Sequence, residues 1–313
     1  MSLPNNRAPY LAVCIRDPRN ELVGPECENL TGGSPDSFGI ARCQSIVRVP
    51  AACYIRYGLK WIAEASSLGE LVSMVQAAEL DADGFRVELV RLSKRLEIDR
   101  WEAMRRVADA IPSDPNMKSP KCRFLILSRE NWWCLGEIIT EQTHDYRIHD
   151  QKPHRTSSSL PSQLARALIN LVVPGAKSIV DPCSGVGSVL LEACALNVAC
   201  SGSDYNRRMV GMSRKNIQHF SYGASVSFAD ARELNTEADA VFTDLPYGMK
   251  LMISESDVRR ILDRSIRCAP TALFVAGSDI SSWLTSAGYN RVSVYRVPKQ
   301  TGFMRYVHRA ERN

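Results

Sequence analysis

No stretch of this sequence is apolar for long enough to cross a membrane, although 45% of its 313 residues are hydrophobic. A spanning helix needs about 20 predominantly apolar residues. The chain also begins without the apolar core of a signal peptide, because residues 1–9 include Asn5, Asn6 and Arg7. We therefore expect a soluble protein that stays in the cytoplasm.

Cysteine pairs at metal-binding spacing are also missing. The ten cysteines are scattered, and none forms the C-x-x-C pattern typical of structural zinc sites. We expect them to be reduced side chains that pack like small apolar residues. No metal site is expected.

A strong excess of charge of either sign is likewise lacking. The chain has 39 Lys and Arg against 34 Asp and Glu, a formal net charge of +5. That balance permits a polyanionic partner without requiring one. Basic residues concentrate in two stretches, 86–106 and 291–312. Basic stretches of this kind usually lie on a solvent-exposed face of the protein. The alternative is that they contact the phosphates of a nucleic acid.

The length predicts two or three domains, because one hydrophobic core rarely organises 313 residues. The segment TEQTHDYRIHDQKPHRTSSS, residues 140–159, is polar throughout and includes Pro153 and three consecutive serines. We place the main boundary there, as a linker over residues 142–158.

The half before the linker is predicted to be α+β. Strands are expected over residues 10–15, 44–49, 84–89, 123–128 and 132–139, and helical patterns over 22–30, 61–80 and 99–111. We expect two small units, 1–75 and 76–141, which meet near residues 70–83.

The half after the linker, 159–313, alternates strictly between strand and helix patterns once a first helix over 162–171 has passed. Strands are expected over residues 178–180, 199–203, 225–228, 240–243, 271–276 and 291–296, and helices over 188–195, 207–220, 256–267 and 281–287. This alternation predicts an α/β fold with a parallel sheet covered on both faces. Ligands of such sheets bind at the carboxyl ends of the strands.

The first motif at a strand end is IVDPCSGVG, residues 179–187. Gly185 and Gly187 allow a sharp turn and a close approach to a ligand, and the following helix offers free N–H groups. A dinucleotide-binding fingerprint would place glycine where Leu190 stands, so nicotinamide cofactors are disfavoured. Asp181 suits a ligand with a cationic group and would repel a diphosphate.

Two further aspartates follow the next two strands, Asp204 in Gly-Ser-Asp and Asp230 in Ala-Asp-Ala. A carboxylate at the first position can accept hydrogen bonds from ribose hydroxyls, and one at the second can accept from an adenine amine. Each aspartate alone is more often a helix N-cap or a loop residue. Together with Asp181 they describe an adenosine that carries a cationic amino acid, which is S-adenosylmethionine.

The acceptor motif is Asp-Leu-Pro-Tyr, residues 244–247, after an apolar strand. An exocyclic amine of a purine is a poor nucleophile, so something must orient it and accept its protons. Asp244 can take one N–H and a backbone carbonyl stiffened by Pro246 the other, while a flipped base stacks on Tyr247. The alternative is an ordinary turn in which Tyr247 is buried. In the catalytic interpretation, most of the rate gain would come from positioning the amine against the methyl donor.

These residues resemble the amino-methyltransferases whose acceptor signature is (D/N/S)-P-P-(Y/F). Within that class, motifs between residues 152 and 247 resemble the THUMP-containing tRNA guanosine-N2 methyltransferases, whose target is guanosine ten or a nearby acceptor-stem guanosine. The segments KPHR, residues 152–155, and SLPSQLARA, residues 159–167, resemble the family's segment that leads into the first helix of the catalytic domain. The resemblance implies that this segment packs against the cofactor.

The resemblance implies a Rossmann-like class I methyltransferase domain with a mostly parallel seven-stranded sheet, preceded by a ferredoxin-like unit (1–75) and a THUMP-like RNA-binding domain (76–141). It implies tRNA as the partner and, as in some relatives, a small zinc-binding activator subunit. The implied cofactor-binding residues are Asp181, Cys183, Ser184, Gly185, Gly187, Asp204, Tyr205, Asp230, Ala231 and Ser159. The implied catalytic residues are Asp244, Leu245, Pro246 and Tyr247, and the implied substrate-binding residues are Arg155, Tyr247 and Arg95.

Two departures from the family pattern stand out. Leu245 replaces the commoner proline of the acceptor signature, a variant found in the acceptor-stem branch, so the target position stays open. Residues 183–187, CSGVG, replace the usual Cys/Val-Gly-Thr-Gly and indicate an atypical lineage. The alternative functions are methylation of rRNA guanine or DNA adenine, and an RNA-binding homologue that has lost activity.

Overall fold

The computed structural model describes residues 8–245, 254–300 and 303–312. Its strands are β1 Tyr10–Cys14, β2 Ile40–Cys43, β3 Ile55–Ala65, β4 Phe85–Arg91, β5 Cys122–Arg129, β6 Trp132–Glu141, β7 Ser178–Asp181, β8 Ala199–Asp204, β9 Ser225–Phe228, β10 Ala240–Asp244, β11 Thr271–Ala276, β12 Arg291–Gln300 and β13 Phe303–Glu311. Its helices are α1 Val23–Thr31, α2 Leu68–Ala77, α3 Arg100–Asp109, α4 Ser162–Asn170, α5 Ser188–Ala195, α6 Arg207–His219, α7 Glu255–Cys268 and α8 Ser281–Ser286. None of these helices is both long and apolar enough to pass through a membrane.

The chain folds into two compact units, and each unit is made of several separate segments of the sequence. The first contains the described residues up to Arg16 together with Thr31–Pro50 and Tyr54–Thr143. The second contains Asp17–Leu30, Ala51–Cys53 and the described residues from His144 onward. Most of α1 therefore belongs with the C-terminal half of the chain.

The first unit is built on a six-stranded sheet in the order β2-β1-β3-β6-β5-β4, in which only β4 and β5 pair in parallel. Helices α2 and α3 cover one face through buried Leu71, Val75 and Val107. The other face buries Leu11, Leu59 and their neighbours. Strands from both predicted N-terminal parts, 1–75 and 76–141, lie in this one sheet.

Two expected elements of the first unit differ in the structure. The strand expected over 44–49 is absent there: β2 ends at Cys43, and Val49, before the donor-less Pro50, bonds back to the carbonyl of Ile46 in a turn. The helical pattern over 61–80 divides into the end of β3 and α2. Ser67 caps the N–H of Glu70, which starts a new helix after the strand.

The second unit contains the predicted α/β fold. Its seven strands are ordered β12-β13-β11-β10-β7-β8-β9, and all neighbours from β9 to β11 pair in parallel. β13, which the sequence patterns did not predict, pairs antiparallel with both β11 and β12. The strand order reverses between β7 and β10, so this is the point at which an α/β sheet opens a crevice for a ligand.

The segment predicted as a linker is packed into the second unit. It includes a 3₁₀ helix, Asp145–Gln151, in which His149 is buried. The Nδ1 atom of His149 lies 2.7 Å from Glu192 of α5, and the other oxygen of Glu192 accepts from Arg166 of α4 at 2.8 Å. Most side chains of this segment are exposed, and its buried His149 is paired with Glu192, which is itself fully buried.

Candidate active site

A cavity of about 570 Å³ lies at the carboxyl ends of the strands of the second unit. Asp181, Asp204 and Asp244, the last residues of β7, β8 and β10, all line it. Of the residues predicted to hold the cofactor, its wall contains Asp181, Cys183, Ser184, Gly185, Asp204, Tyr205, Asp230, Ala231 and Ser159. Leu245 of the acceptor motif also lines it, whereas Pro246 and Tyr247 lie outside the described residues.

The glycine loop between β7 and α5 owes its shape to two left-handed residues. Gly185 has φ +51°, and open space lies where a Cβ would stand. Gly187 has φ +84°, and a Cβ there would come 2.4 Å from the Ser213 hydroxyl of α6. Gly185 therefore leaves room in the cavity, while Gly187 permits close packing of the loop on α6.

Asp204 ties the loop to the neighbouring strand. Its two carboxylate oxygens accept from the N–H of Gly185 at 2.9 Å and of Asn206 at 2.8 Å. Burial raises the pKa of Asp204 above its usual value, and these two hydrogen bonds oppose the rise. Asp181 is only 2% exposed, and burial, with the nearby Asp244 and Asp204 carboxylates, raises its pKa well above the usual range. A cation in the cavity would restore its ionised form.

Asp230 has a partner that the sequence patterns did not predict. Its carboxylate forms a two-pronged ion pair with Arg232, with contacts of 3.0 Å from Nε and 2.5 Å from Nη2. This pairing lowers the pKa of Asp230. Arg232 also donates to Asp257 at 2.7 Å, and both residues line the cavity. The backbone N–H of Arg232 also donates to Asp230 at 2.9 Å, so three N–H groups use its carboxylate and about one of its four acceptor positions is left for a ligand.

Asp244 is the group in the cavity best suited to accept a proton. Its Oδ1 is buried and has no hydrogen-bond partner among the described residues. Burial raises its pKa to about 7, against the opposing charges of Arg305 and Lys299. The next residue, Leu245, is fixed by a 3.0 Å hydrogen bond from its N–H to the carbonyl of Val275. Asp244 thus lies at a strand end in the cavity wall, with one oxygen that no described residue pairs.

A buried asparagine on α6, Asn216, joins the two walls of the cavity. Its side-chain oxygen accepts from the N–H of His154 at 2.9 Å, and its Nδ2 donates to the carbonyls of His154 and Val186 at 2.9 and 2.8 Å. The segment after His154 brings Ser159 to the cavity, and Val186 belongs to the glycine loop. In the sequence Asn216 is one of two polar residues, with Ser213, on the buried face of α6, and no sequence pattern pointed to its role.

Three residues that were predicted to bind the cofactor or the substrate are not in the part of the cavity wall that the described residues form. Gly187 packs behind the loop on Ser213. Arg155 is exposed, and Arg95 is an exposed residue of the first unit. Among residues 8–245, 254–300 and 303–312, no cluster of three or more His, Cys, Asp and Glu side chains could hold a metal ion.

Residues 150–264 match the model of the UPF0020 family, described as the RMKL-like methyltransferase domain. This range contains all four strand-end aspartates of the cavity. Fold and match together define a Rossmann-like methyltransferase domain, the class that takes S-adenosylmethionine as its methyl donor. The match covers 115 of the 313 residues of the chain.

Within that class the chain is similar to curated tRNA (guanine(10)-N2)-dimethyltransferases. It is 35% identical to that of Methanothermobacter thermautotrophicus over 151 residues, which are 45% of this chain and 43% of the relative. It is 25% identical to that of Methanocaldococcus jannaschii over 222 residues, 63% of each chain. The match therefore spans about half the length of these relatives. The crystal structure of TrmN from Thermus thermophilus shares the fold, with a TM-score of 0.53, 20% identity and coverage of 97% of this chain and 99% of that one.

Proposed function

We propose that this chain transfers a methyl group from S-adenosylmethionine to the exocyclic N2 amine of a guanosine in tRNA. One observation carries the proposal: the unpaired, buried Oδ1 of Asp244 belongs to the same cavity as the glycine loop and Asp204. A base placed there brings its amine between a proton acceptor and the methyl donor. The names of the curated relatives favour guanosine N2 in tRNA over other amines.

The residues of the cavity fit S-adenosylmethionine. Asp204 uses one acceptor position for the glycine loop and one for the N–H of Asn206, and has positions left for ribose hydroxyls. Asp181 gains its charge beside the cationic amino acid part, directly or through water, and Asp230 accepts from the adenine amine. The open space at Gly185 admits a close ligand. When bound, the cofactor supplies an electrophilic methyl group on a sulfonium.

The acceptor side works by orientation. Asp244 accepts one N–H of the amine and removes its proton as the nitrogen gains the methyl group, because its raised pKa matches this task at neutral pH. The hydrogen bond between Leu245 and Val275 fixes the start of the turn. Pro246 stiffens the carbonyl that accepts the second N–H, and Tyr247 stacks on the base. The rate gain comes mainly from holding the reacting atoms in line.

The rest of the proposal concerns partners. The N-terminal half serves as the tRNA-anchoring region, with a ferredoxin-like part over 1–75 and a THUMP-like part over 76–141, and with Arg95 and Arg155 at phosphates. Such a module recognises RNA through shape and backbone contacts. A small zinc-binding activator subunit and a cytoplasmic location belong to the same proposal.

The test is methyl transfer from labelled S-adenosylmethionine to purified total tRNA, rRNA and duplex DNA, with the Asp244→Asn variant as the inactive control. We expect label in tRNA, with N2-methylated guanosine as the product in nucleoside mass spectrometry. If label appeared only in DNA, or only in rRNA, that nucleic acid would be the substrate and the proposal of tRNA would be wrong. Cofactor binding without transfer to any tRNA pool would make the chain a non-catalytic RNA-binding homologue.

A further inference from the structure

The end of the β12–β13 hairpin projects past the rest of its sheet. β13 pairs with β11 only from Glu311 to Tyr306, which faces Ala276, the last residue of β11. Beyond that point β12 and β13 continue as a two-stranded ribbon, and their last pair joins Gln300 to Phe303. Because β11 and β10 end together, at the edge where Asp244 lies, the ribbon extends past the cavity side of the sheet.

One face of this ribbon is directed to the cavity. The register of β12 shifts between Pro298 and Gln300, so Lys299 is the extra residue of a β-bulge. Bulges re-aim side chains next to active sites, and Lys299 lines the cavity. On β13, Arg305 is only 5% exposed, and its charge acts on Asp244. Alternation along the strand places Phe303 on the same face as Arg305 and Met304 on the opposite face.

The ribbon presents an aromatic ring to solvent beside cationic side chains. Phe303 is 70% exposed and Met304 is 39% exposed. At the base of the ribbon, Arg296 holds Glu21 through its backbone N–H at 2.7 Å and its Nε at 2.8 Å, which keeps the projection in place. An exposed ring with lysine and arginine nearby is the combination that binds unpaired nucleotides, by stacking and by charge.

We propose that the projecting end of this hairpin is a second contact for the nucleic acid, in which Phe303 stacks on an unpaired base next to the methylated one and Lys299 meets its phosphate. The proposal rests on the proposed function, because the occupant is the polynucleotide whose amine reaches Asp244. Charge complementarity and continuity with the cavity favour it over a second copy of this chain.

The test compares Phe303→Ala with Met304→Ala, two truncations of adjacent exposed apolar residues on opposite faces. Initial rates of methyl transfer at varied tRNA concentration give KM and kcat, and calorimetry gives cofactor affinity as a check of folding. We expect Phe303→Ala to raise the KM for tRNA by about 5- to 100-fold, as the loss of one stacked base implies. Met304→Ala should leave the KM within about twofold, and Phe303→Trp should restore it.

Four results would overturn the proposal. An active wild type whose KM is the same in Phe303→Ala refutes the hairpin contact and leaves the proposed function intact. Equal increases in Phe303→Ala and Met304→Ala refute stacking on one face. A wild type that methylates no nucleic acid refutes the proposed function and this inference together. A dimer that dissociates in Phe303→Ala with unchanged KM, measured by sedimentation, identifies a second copy of the chain as the occupant.

Discussion

Asp244 combines burial with an oxygen that the described residues leave unpaired. Most buried carboxylates are paired, because an unpaired buried charge is costly. Here the cost appears as a pKa raised to about 7. A carboxyl group in that state exchanges a proton near neutral pH, which is what a group that receives an amine proton needs.

The pH dependence of turnover follows from this pKa. If Asp244 accepts the amine proton as proposed, methyl transfer needs its ionised form, so kcat/KM should fall about tenfold per pH unit below pH 7 and reach a plateau above it. Asp244→Asn should lower kcat/KM by on the order of 100-fold or more and remove this break. Asp239→Asn, at the opposite end of β10, is the matched control and should keep the break. A pH break that persists in Asp244→Asn would assign it to another group.

The same residue should also weaken the folded state at high pH. Its pKa is raised on folding, so ionisation is disfavoured in the folded protein, and stability is lost as the pH rises from about 4 to 7. Thermal unfolding should therefore show Asp244→Asn to be more stable than the wild type at pH 8, by a few kcal/mol at most, and equally stable at pH 4. Equal stability at both pH values would contradict the raised pKa.

Asp204 and Asp244 should differ in their effect on the cofactor. Asp204 holds the glycine loop and is proposed to contact the cofactor, so Asp204→Ala should weaken S-adenosylmethionine binding, measured by calorimetry. Asp244→Ala should abolish turnover and leave this affinity within a few-fold. Equal losses of affinity in the two variants would refute the division of roles.

At the scale of elements, α6 determines how the two walls of the cavity meet. Asn216→Ala removes three hydrogen bonds and leaves the N–H of His154 and the carbonyl of Val186 without this partner. We expect a loss of roughly 1–3 kcal/mol in the free energy of unfolding and weaker cofactor binding. Asn216→Asp keeps the acceptor for His154 but turns a carboxylate oxygen toward the two carbonyls, so it should be at least as destabilising.

The exposed Gln218, two residues along the same helix, supplies the control. Gln218→Ala should change neither unfolding in urea nor the Kd for the cofactor. If Asn216→Ala lowers stability but binds the cofactor like the wild type, Asn216 stabilises the fold without positioning the cavity.

The bounds of the strands and helices show where local sequence patterns are sufficient to predict secondary structure. In the second unit, helix α5 and strands β9 and β11 begin and end where the sequence predicts. The prediction missed β13, which carries buried His308 and Arg305 and therefore lacks the apolar pattern of a central strand. It ended β12 at residue 296, before Pro298, yet the strand continues to Gln300 because proline is tolerated near the free end of a ribbon.

At the scale of the whole molecule, the proposed tRNA partner predicts a salt-dependent affinity. Neutralising phosphates releases counterions, so the logarithm of the binding constant should fall linearly with the logarithm of the salt concentration. If Arg95 meets a phosphate, Arg95→Ala should weaken tRNA binding in anisotropy titrations and reduce that slope by about 1.

Arg105 of α3 is the matched control, because it already pairs with Glu102 at 2.8 Å and Asp109 at 3.0 Å. Arg105→Ala should leave the slope unchanged. The same slope in Arg95→Ala and the wild type would remove Arg95 from the RNA contact.

By itself the sequence determined the α/β fold of the second unit and the carboxylates at its strand ends. Both depend on local information: a strand and a helix reveal themselves by periodicity, and parallel strands bring their carboxyl ends to one edge. Only the tertiary structure decided which side chains those carboxylates meet. Arg232 reaches Asp230, Asn216 joins two segments far apart in the chain, and the β12–β13 register brings Lys299 to Asp244. These contacts depend on non-local pairing and burial, which no local pattern encodes.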